Sequence, residues 1–69
     1  MSKWRIKIEF IGSDKVYHGK SKKMSLQEVE EMLDFLKRDL EYLVLESNKN
    51  SIIFKEDVLK NAIITLEKV

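Results

Sequence analysis

Apolar and charged residues alternate along the first ten positions of the chain. The even positions from Trp4 to Phe10 are apolar, and charged residues stand between them. A period of two is typical of a β-strand that turns one face to a core and the other to water. Gly12 begins a polar turn cluster, and residues 15–20 have the pattern of a returning strand. The sequence therefore predicts a β-hairpin over residues 3–20.

The hydrophobic period becomes that of a helix after Ser25. Ser25 and Glu28 have the spacing of a capping box, in which each side chain accepts the backbone N–H of the other residue. Met24 and Val29 are spaced for the hydrophobic staple that accompanies such a box. One helical stripe then collects the apolar residues Leu26, Val29, Met32, Leu33, Leu36 and Leu40. This pattern predicts one amphipathic helix from about residue 26 to about residue 39.

Short β-strands are predicted in the second half of the chain. Residues 41–47 alternate, residues 48–50 supply a turn, and residues 51–54 are a β-branched run that pairs back. Residues 55–61 are interpreted as a tight turn before a final strand over residues 62–69.

A second helix stays open as the alternative for the last segment, because several apolar residues there also have helical spacing: Val58, Leu59, Ala62, Ile63 and Leu66. With the strand interpretation, the predicted order is ββαβββ. This order describes a single α+β domain over residues 1–69, with an antiparallel sheet curled against one helix.

Composition limits how such a domain is stabilised. A chain of 69 residues forms only a thin core, because folding buries only about 60% of the surface that the unfolded chain exposes. The sequence has no Cys and a single His, so disulfides and a structural metal are not expected, and self-association is the favoured aid. The absence of Cys also fits a reducing cytoplasm. No export signal and no apolar run of about 20 residues is present, so we expect a cytoplasmic protein without membrane association.

Charge is distributed unevenly along the chain, although the net charge is only +1. Residues 1–23 contain seven cationic and two acidic residues, a balance of +5, which leaves a balance of −4 on residues 24–69. Such a split favours head-to-tail association between copies or the binding of an acidic partner.

The basic predicted hairpin supplies the candidate partner-binding residues. They are Arg5, Lys7, Lys15, Tyr17 and Lys20. Cationic and aromatic side chains together can also contact phosphates and stack a base, so binding of nucleic acid or a nucleotide is the alternative function. The pI of about 7.9 and the absence of a recognition motif place this alternative second.

Enzymatic chemistry has little support in the sequence. There is no Cys nucleophile and no glycine-rich phosphate loop, and His18 is the only candidate for a general base of the imidazole type. The acidic residues Glu28, Glu31 and Asp34 fit a solvated helix face that pairs with Arg38. We therefore expect a protein without catalytic residues, cofactor or metal.

Two aromatic residues lie away from the predicted helical stripe. Phe35 and Tyr42 are seven positions apart, and a domain with one helix leaves at least Phe35 partly exposed. Exposed aromatic side chains outside the core face are common in interfaces, so both residues are predicted to serve self-association.

The chain combines several segments in a fixed order: KWRIKIEF at residues 3–10, a returning strand, one capped helix, SIIFKEDV at residues 51–58 and an Ile-rich final strand. This arrangement resembles small accessory proteins from phages of low-GC Gram-positive bacteria. This resemblance implies an oligomeric protein that acts by binding. Some such proteins block host defence proteins, and others sequester nucleotide signals. The expected function is therefore that of a non-enzymatic, self-assembling protein that binds a host protein, as a phage inhibitor of bacterial defence does.

Overall fold

A four-stranded antiparallel sheet is built around the first strand of the chain. The computed structural model describes residues 1–69, and strand β1 spans Ser2–Phe10. One edge of β1 pairs with two short strands, β2 (Val16–His18) and β3 (Lys22–Met24). The other edge pairs with the last strand, β6 (Ala62–Lys68). β1 is therefore the central strand of this main sheet.

The alternation predicted for β1 is confirmed. Ile8 is fully buried, and Ile6 and Phe10 pack against the same core cluster. The odd positions carry Arg5 and Lys7 on the opposite face, where these side chains make ion pairs. The main sheet thus has a core face and a polar face.

A β-bulge separates β2 from β3. Tyr17 lies opposite Ile8, and Lys22 lies opposite Trp4. The chain advances five residues from Tyr17 to Lys22, whereas β1 spans only four residue steps between Ile8 and Trp4. The extra residue of a bulge leaves the local ladder and increases the bend of its strand. Here Gly19 N–H still donates to the Ile6 carbonyl at 2.8 Å, while the next N–H, that of Lys20, points away from β1.

A second, two-stranded sheet covers the core face of the main sheet. It is the hairpin of β4 (Tyr42–Glu46) and β5 (Ser51–Lys55). The core consists of one residue from β1 and three from this hairpin: Ile8, Leu43, Leu45 and Phe54. The Lys20 N–H donates to the Glu46 carbonyl at 2.7 Å, so the bulge joins the two sheets. At the other side, the one-turn helix α2 (Glu56–Leu59) leads from β5 to β6.

The predicted capping box begins helix α1 (Leu26–Leu36). Glu28 N–H donates to Ser25 Oγ at 3.2 Å, and Ser25 N–H donates to Glu28 Oε1 at 3.1 Å. Met24 and Val29 on either side of the box are both buried, as a hydrophobic staple requires. The helix ends at Leu36, three residues before the predicted end.

The α+β class is confirmed, and the finer topology is predicted only in part. The predicted packing of the sheet against the helix is incomplete. Helix α1 adds Leu36 to the edge of the core, but the β4–β5 hairpin supplies the buried side chains opposite Ile8: Leu43, Leu45 and Phe54. The sequence also missed β3 and the separation into two sheets. The second-helix alternative for the last segment is wrong except for the single turn of α2, since residues 62–68 form a strand.

Helix α1 is thinly packed. Val29 is its only buried residue. Leu26, predicted to lie on the core stripe, is 80% exposed at the first helical position. Neither helix has the length and apolar character that a membrane span needs.

Gly19→Ala is expected to destabilise the fold by about 1–3 kcal/mol. An added Cβ would lie only 2.7 Å from Leu45 Cδ1, and Leu45 is a core residue. Urea unfolding measures the change. In a Leu45→Val background, which removes the crowded δ carbon, the same substitution should be less destabilising. An equal effect in both backgrounds would show that the Gly19–Leu45 approach is not the cause.

Ser25→Ala is expected to lower the free energy of unfolding by about 1 kcal/mol, because the Glu28 N–H loses its acceptor at the start of α1. Thermal and urea denaturation check this. Ser51→Ala is the control, since Ser51 is an exposed residue at the start of β5 and caps no helix. Equal midpoints for the wild type and Ser25→Ala would contradict a contribution from the box.

Candidate interaction surfaces

Apolar side chains cover the outer face of the β4–β5 hairpin. Because Leu43 and Leu45 point to the core, the alternate residues of β4 point outward. Tyr42 is 60% exposed, and Val44 lies directly opposite Ile53, which is 62% exposed. We call the outward set of Tyr42, Val44 and Ile53 the hairpin face.

A groove beside β4 connects the hairpin face to helix α1. It has a volume of about 440 Å³, and its lining includes Phe35, Leu40, Tyr42 and Val44. Phe35 is 44% exposed at the end of α1. The two residues that the sequence predicts for self-association, Phe35 and Tyr42, therefore line the same groove. Their use in self-association stays a prediction.

Charges of opposite sign mark the two ends of the hairpin face. Lys55 pairs with Tyr42 at one end, and Glu46 pairs with Ser51 at the other. Since each residue of a strand rises about 3.3 Å, the four steps from Tyr42 to Glu46 separate these ends by roughly 13 Å. The face is thus apolar in its centre, basic at one end and acidic at the other.

The polar face of the main sheet holds Arg5 and Lys7 in an ion-pair network. Arg5 Nε donates to Glu67 Oε2 at 2.6 Å across the β1–β6 ladder. Lys7 Nζ lies 3.3 Å from Glu9 Oε1 and 4.0 Å from Glu67 Oε1. Two of the four cations predicted to bind a partner, Arg5 and Lys7, are therefore already paired with carboxylates within the chain.

Glu67 is the acceptor at the centre of this network. The hydrogen bond from Arg5 lowers the pKa of the Glu67 carboxyl below its usual value, and the charges of Arg5, Lys7 and His18 act in the same direction. Glu67 is therefore firmly ionised at neutral pH and offsets part of the positive charge of the polar face.

Tyr17 lies on the other side of the main sheet from Arg5 and Lys7. Its register opposite Ile8 turns the ring to the core face. There the ring centroid lies 6.0 Å from that of Phe10 and 5.4 Å from that of Phe54, in edge-to-face geometry. The ring of Tyr17 therefore packs within the protein instead of standing among the cations.

Lys15 and Lys20 lie outside the strands. Lys15 is exposed in the loop between β1 and β2, and Lys20 is exposed at the bulge. The five predicted partner-binding residues thus do not form one cluster. Only Arg5 and Lys7 share a face, and partner binding by the five residues stays a prediction.

His18 lies opposite Lys7 on the polar face. The chain contains no group of three side chains placed to hold a metal ion. No buried side-chain nitrogen or oxygen lacks a hydrogen-bond partner.

Val44 and Ile53 are surface residues that the sequence interpretation did not single out. In a strand over residues 42–46, Val44 and Leu43 lie on opposite faces. The exposure of Val44 therefore follows from the sequence pattern once Leu43 is placed in the core. The exposure of Ile53 is harder to see, because residues 52–54 are all apolar.

Comparison with known proteins adds no relative to this picture. No protein-family model, no curated protein and no solved structure matches the chain. The functional interpretation therefore depends on the surfaces themselves.

Acidification is expected to destabilise the wild type more than Glu67→Gln. A carboxylate with a lowered pKa contributes stability above the ordinary pKa of 4.5, and that contribution is lost as the pH falls through the lower value of the folded state. Urea unfolding between about pH 7 and about pH 3 measures how steeply the free energy of unfolding falls with pH. Glu30→Gln, an exposed change on α1, should keep the wild-type slope. A wild-type slope in Glu67→Gln as well would contradict the role of the Arg5–Glu67 pair.

Proposed function

We propose that this chain is a non-enzymatic binding protein that assembles with copies of itself through the hairpin face and Phe35. The observation that carries the proposal is the continuous exposed apolar surface formed by Tyr42, Val44 and Ile53 beside the Phe35 groove. Apolar surface of this kind, bordered by charged residues, is typical of a protein interface.

The β4–β5 hairpin supports self-assembly for an energetic reason. A two-stranded sheet is marginally stable unless a further layer covers it. One face of this hairpin is covered by the main sheet, whereas the outer pair Val44 and Ile53 remains in water. Burial of apolar surface contributes roughly 25 cal/mol per Å², so covering this pair with a second copy stabilises the hairpin and the assembly together.

The charges at the ends of the hairpin face favour a second copy as the occupant. When two copies pack face to face about a twofold axis that crosses the strands, Lys55 of each copy lies near Glu46 of the other. The apolar centres then meet, and no like charges are brought together at the ends. The surface is therefore complementary to itself in this arrangement.

The assembled protein is proposed to bind a host protein. The resemblance to phage accessory proteins suggests a bacterial defence protein as the target. The polar face supports a protein partner, because Arg5 and Lys7 stand beside Glu9 and Glu67 and offer both signs of charge. A partner with a complementary mixture of charges fits such a face better than a uniformly anionic one.

Binding of nucleic acid or a nucleotide is the second candidate. Lys3 and Lys23 lie directly opposite each other in the β1–β3 ladder, and an anion between them would relieve their repulsion. This candidate ranks lower because carboxylates neutralise Arg5 and Lys7, and because the Tyr17 ring packs against Phe54 instead of offering a stacking surface.

Tyr42→Glu and Phe35→Glu are each expected to weaken self-association by about tenfold or more, since each places a charge in the apolar interface. Light scattering and sedimentation across the micromolar range measure the effect. Ile11→Glu is the matched control, because Ile11 is 71% exposed but lies outside the hairpin face and its groove.

A wild-type mass of 8.2 kDa throughout the micromolar range would overturn the proposal. Self-association through an apolar face should persist as salt is added. In contrast, binding of a single-stranded oligonucleotide that weakens steeply with salt would support the second candidate.

A further inference from the structure

Strand β6 has one unpaired edge. Its neighbour β1 receives the Val69 N–H at the Lys3 carbonyl and donates the Ile11 N–H to the Asn61 carbonyl. In an antiparallel ladder, residues that bond to the neighbour alternate with residues that point away from it. The odd positions of β6 therefore bond to β1. The N–H and carbonyl groups of the even positions point outward: Ala62, Ile64, Leu66 and Lys68.

This edge lacks the features by which proteins usually protect an exposed strand. β6 contains no Pro and no Gly, and it keeps one unbroken register over its seven residues. Lys68 at its end is the only cation. Ile63, in the middle of the strand, is 53% exposed. A long, regular and apolar edge of this kind readily pairs with another strand.

We propose that β6 pairs in antiparallel fashion with β6 of a second copy, so that the two main sheets continue into one. The inference builds on the proposed self-assembly, but it uses different residues from the hairpin face. Full pairing of the seven residues sets Thr65 opposite Thr65 of the second copy, on the twofold axis. Each copy then supplies four outward N–H groups and four outward carbonyls to the new ladder.

The sequence of β6 is complementary to itself in this register. Ile64 lies opposite Leu66 on the core side, and Ile63 lies opposite Glu67 on the polar face. Lys68 lies opposite Ala62, so no like charges face each other. A shift by two residues in either direction keeps the hydrogen-bond pattern but leaves strand residues unpaired. The complete register is therefore the favoured one.

A cleft with an apolar wall lies beside the same edge. It has a volume of about 420 Å³, and its lining combines five apolar residues with four charged ones: Leu36, Leu40, Leu59, Ala62, Ile64, Arg38, Asp39, Glu56 and Lys60. Leu66 of the second copy lies opposite Ile64 on this side of the sheet, where it can enter the cleft. The cleft thus offers a place for the apolar side chain that the register brings to it. This fit favours a second copy over an unrelated strand.

A charge exchange at Thr65 tests the proposed pair. Thr65 and its symmetry mate form a non-hydrogen-bonded pair, in which opposing side chains are closest. Thr65→Glu alone and Thr65→Lys alone should each weaken the β6 contact by about tenfold or more. An equimolar mixture of the two variants should restore it. Circular dichroism of each variant verifies folding, and failure of the mixture to associate better than either variant overturns the proposal.

Amide hydrogen exchange gives a second readout with an internal control. At high protein concentration, the amides of Ile64 and Leu66 should exchange at least about tenfold more slowly than after dilution. The amides of Ile63 and Thr65 are bonded to β1 and should be protected under both conditions. Unprotected amides of Ile64 and Leu66 at all concentrations would overturn the β6 pairing.

The two self-contacts are separable by mass. With both contacts, the wild type should exceed a dimer. Thr65→Glu should leave a dimer through the hairpin face, and Tyr42→Glu should leave a dimer through β6 with its amide protection intact. The double variant should have the monomer mass of 8.2 kDa. A monomeric Tyr42→Glu protein would overturn the β6 contact, whereas a Tyr42→Glu protein with the wild-type mass would overturn only the hairpin contact.

Discussion

The backbone hydrogen bond from Lys20 to the Glu46 carbonyl links the two sheets at the border of their shared apolar core and fixes how they meet. It forms at 2.7 Å only because the bulge turns the Lys20 N–H away from β1. Beside it, Gly19 has no Cβ, so the core side chain of Leu45 packs against the backbone of the main sheet. The position of β4, and through β4 that of the whole hairpin, depends on this junction. The orientation of the groove at Phe35 and Tyr42 depends on it in turn.

The junction also explains why so much apolar surface remains outside. The hairpin supplies most of the buried residues over the core face, and Val29 is the only buried residue of α1. A hairpin of two strands has a second face, and here that face carries Tyr42, Val44 and Ile53. The fold therefore leaves two kinds of unsatisfied surface, an apolar face on the hairpin and a free backbone edge on β6. In the proposed assembly, further copies of the chain would cover both.

Local signals in the sequence predicted local structure well. Strict alternation located β1, and the spacing of Ser25 and Glu28 located the start of α1, because neighbouring residues decide both features. The bulge after His18 is not predictable in this way, because it accompanies a long-range contact. The Lys20 N–H donates to the carbonyl of Glu46, 26 residues further along the chain. The sequence pattern places Tyr17 on the basic surface because it indicates the strand but not the register of that strand. The register turns the ring to the core.

The pairing of β1 with β6 has a consequence for how the protein is made. About 50 residues separate Phe10 from Ala62, and ribosomes add about 5–20 residues per second. Several seconds therefore pass between the synthesis of β1 and that of β6, its partner on one edge. The main sheet is complete only after β6 has been synthesised. Pairing of such distant segments is also slow after synthesis, because the long intervening loop must close first. During synthesis, one edge of β1, the longest strand, therefore stays unpaired and can pair with a wrong strand.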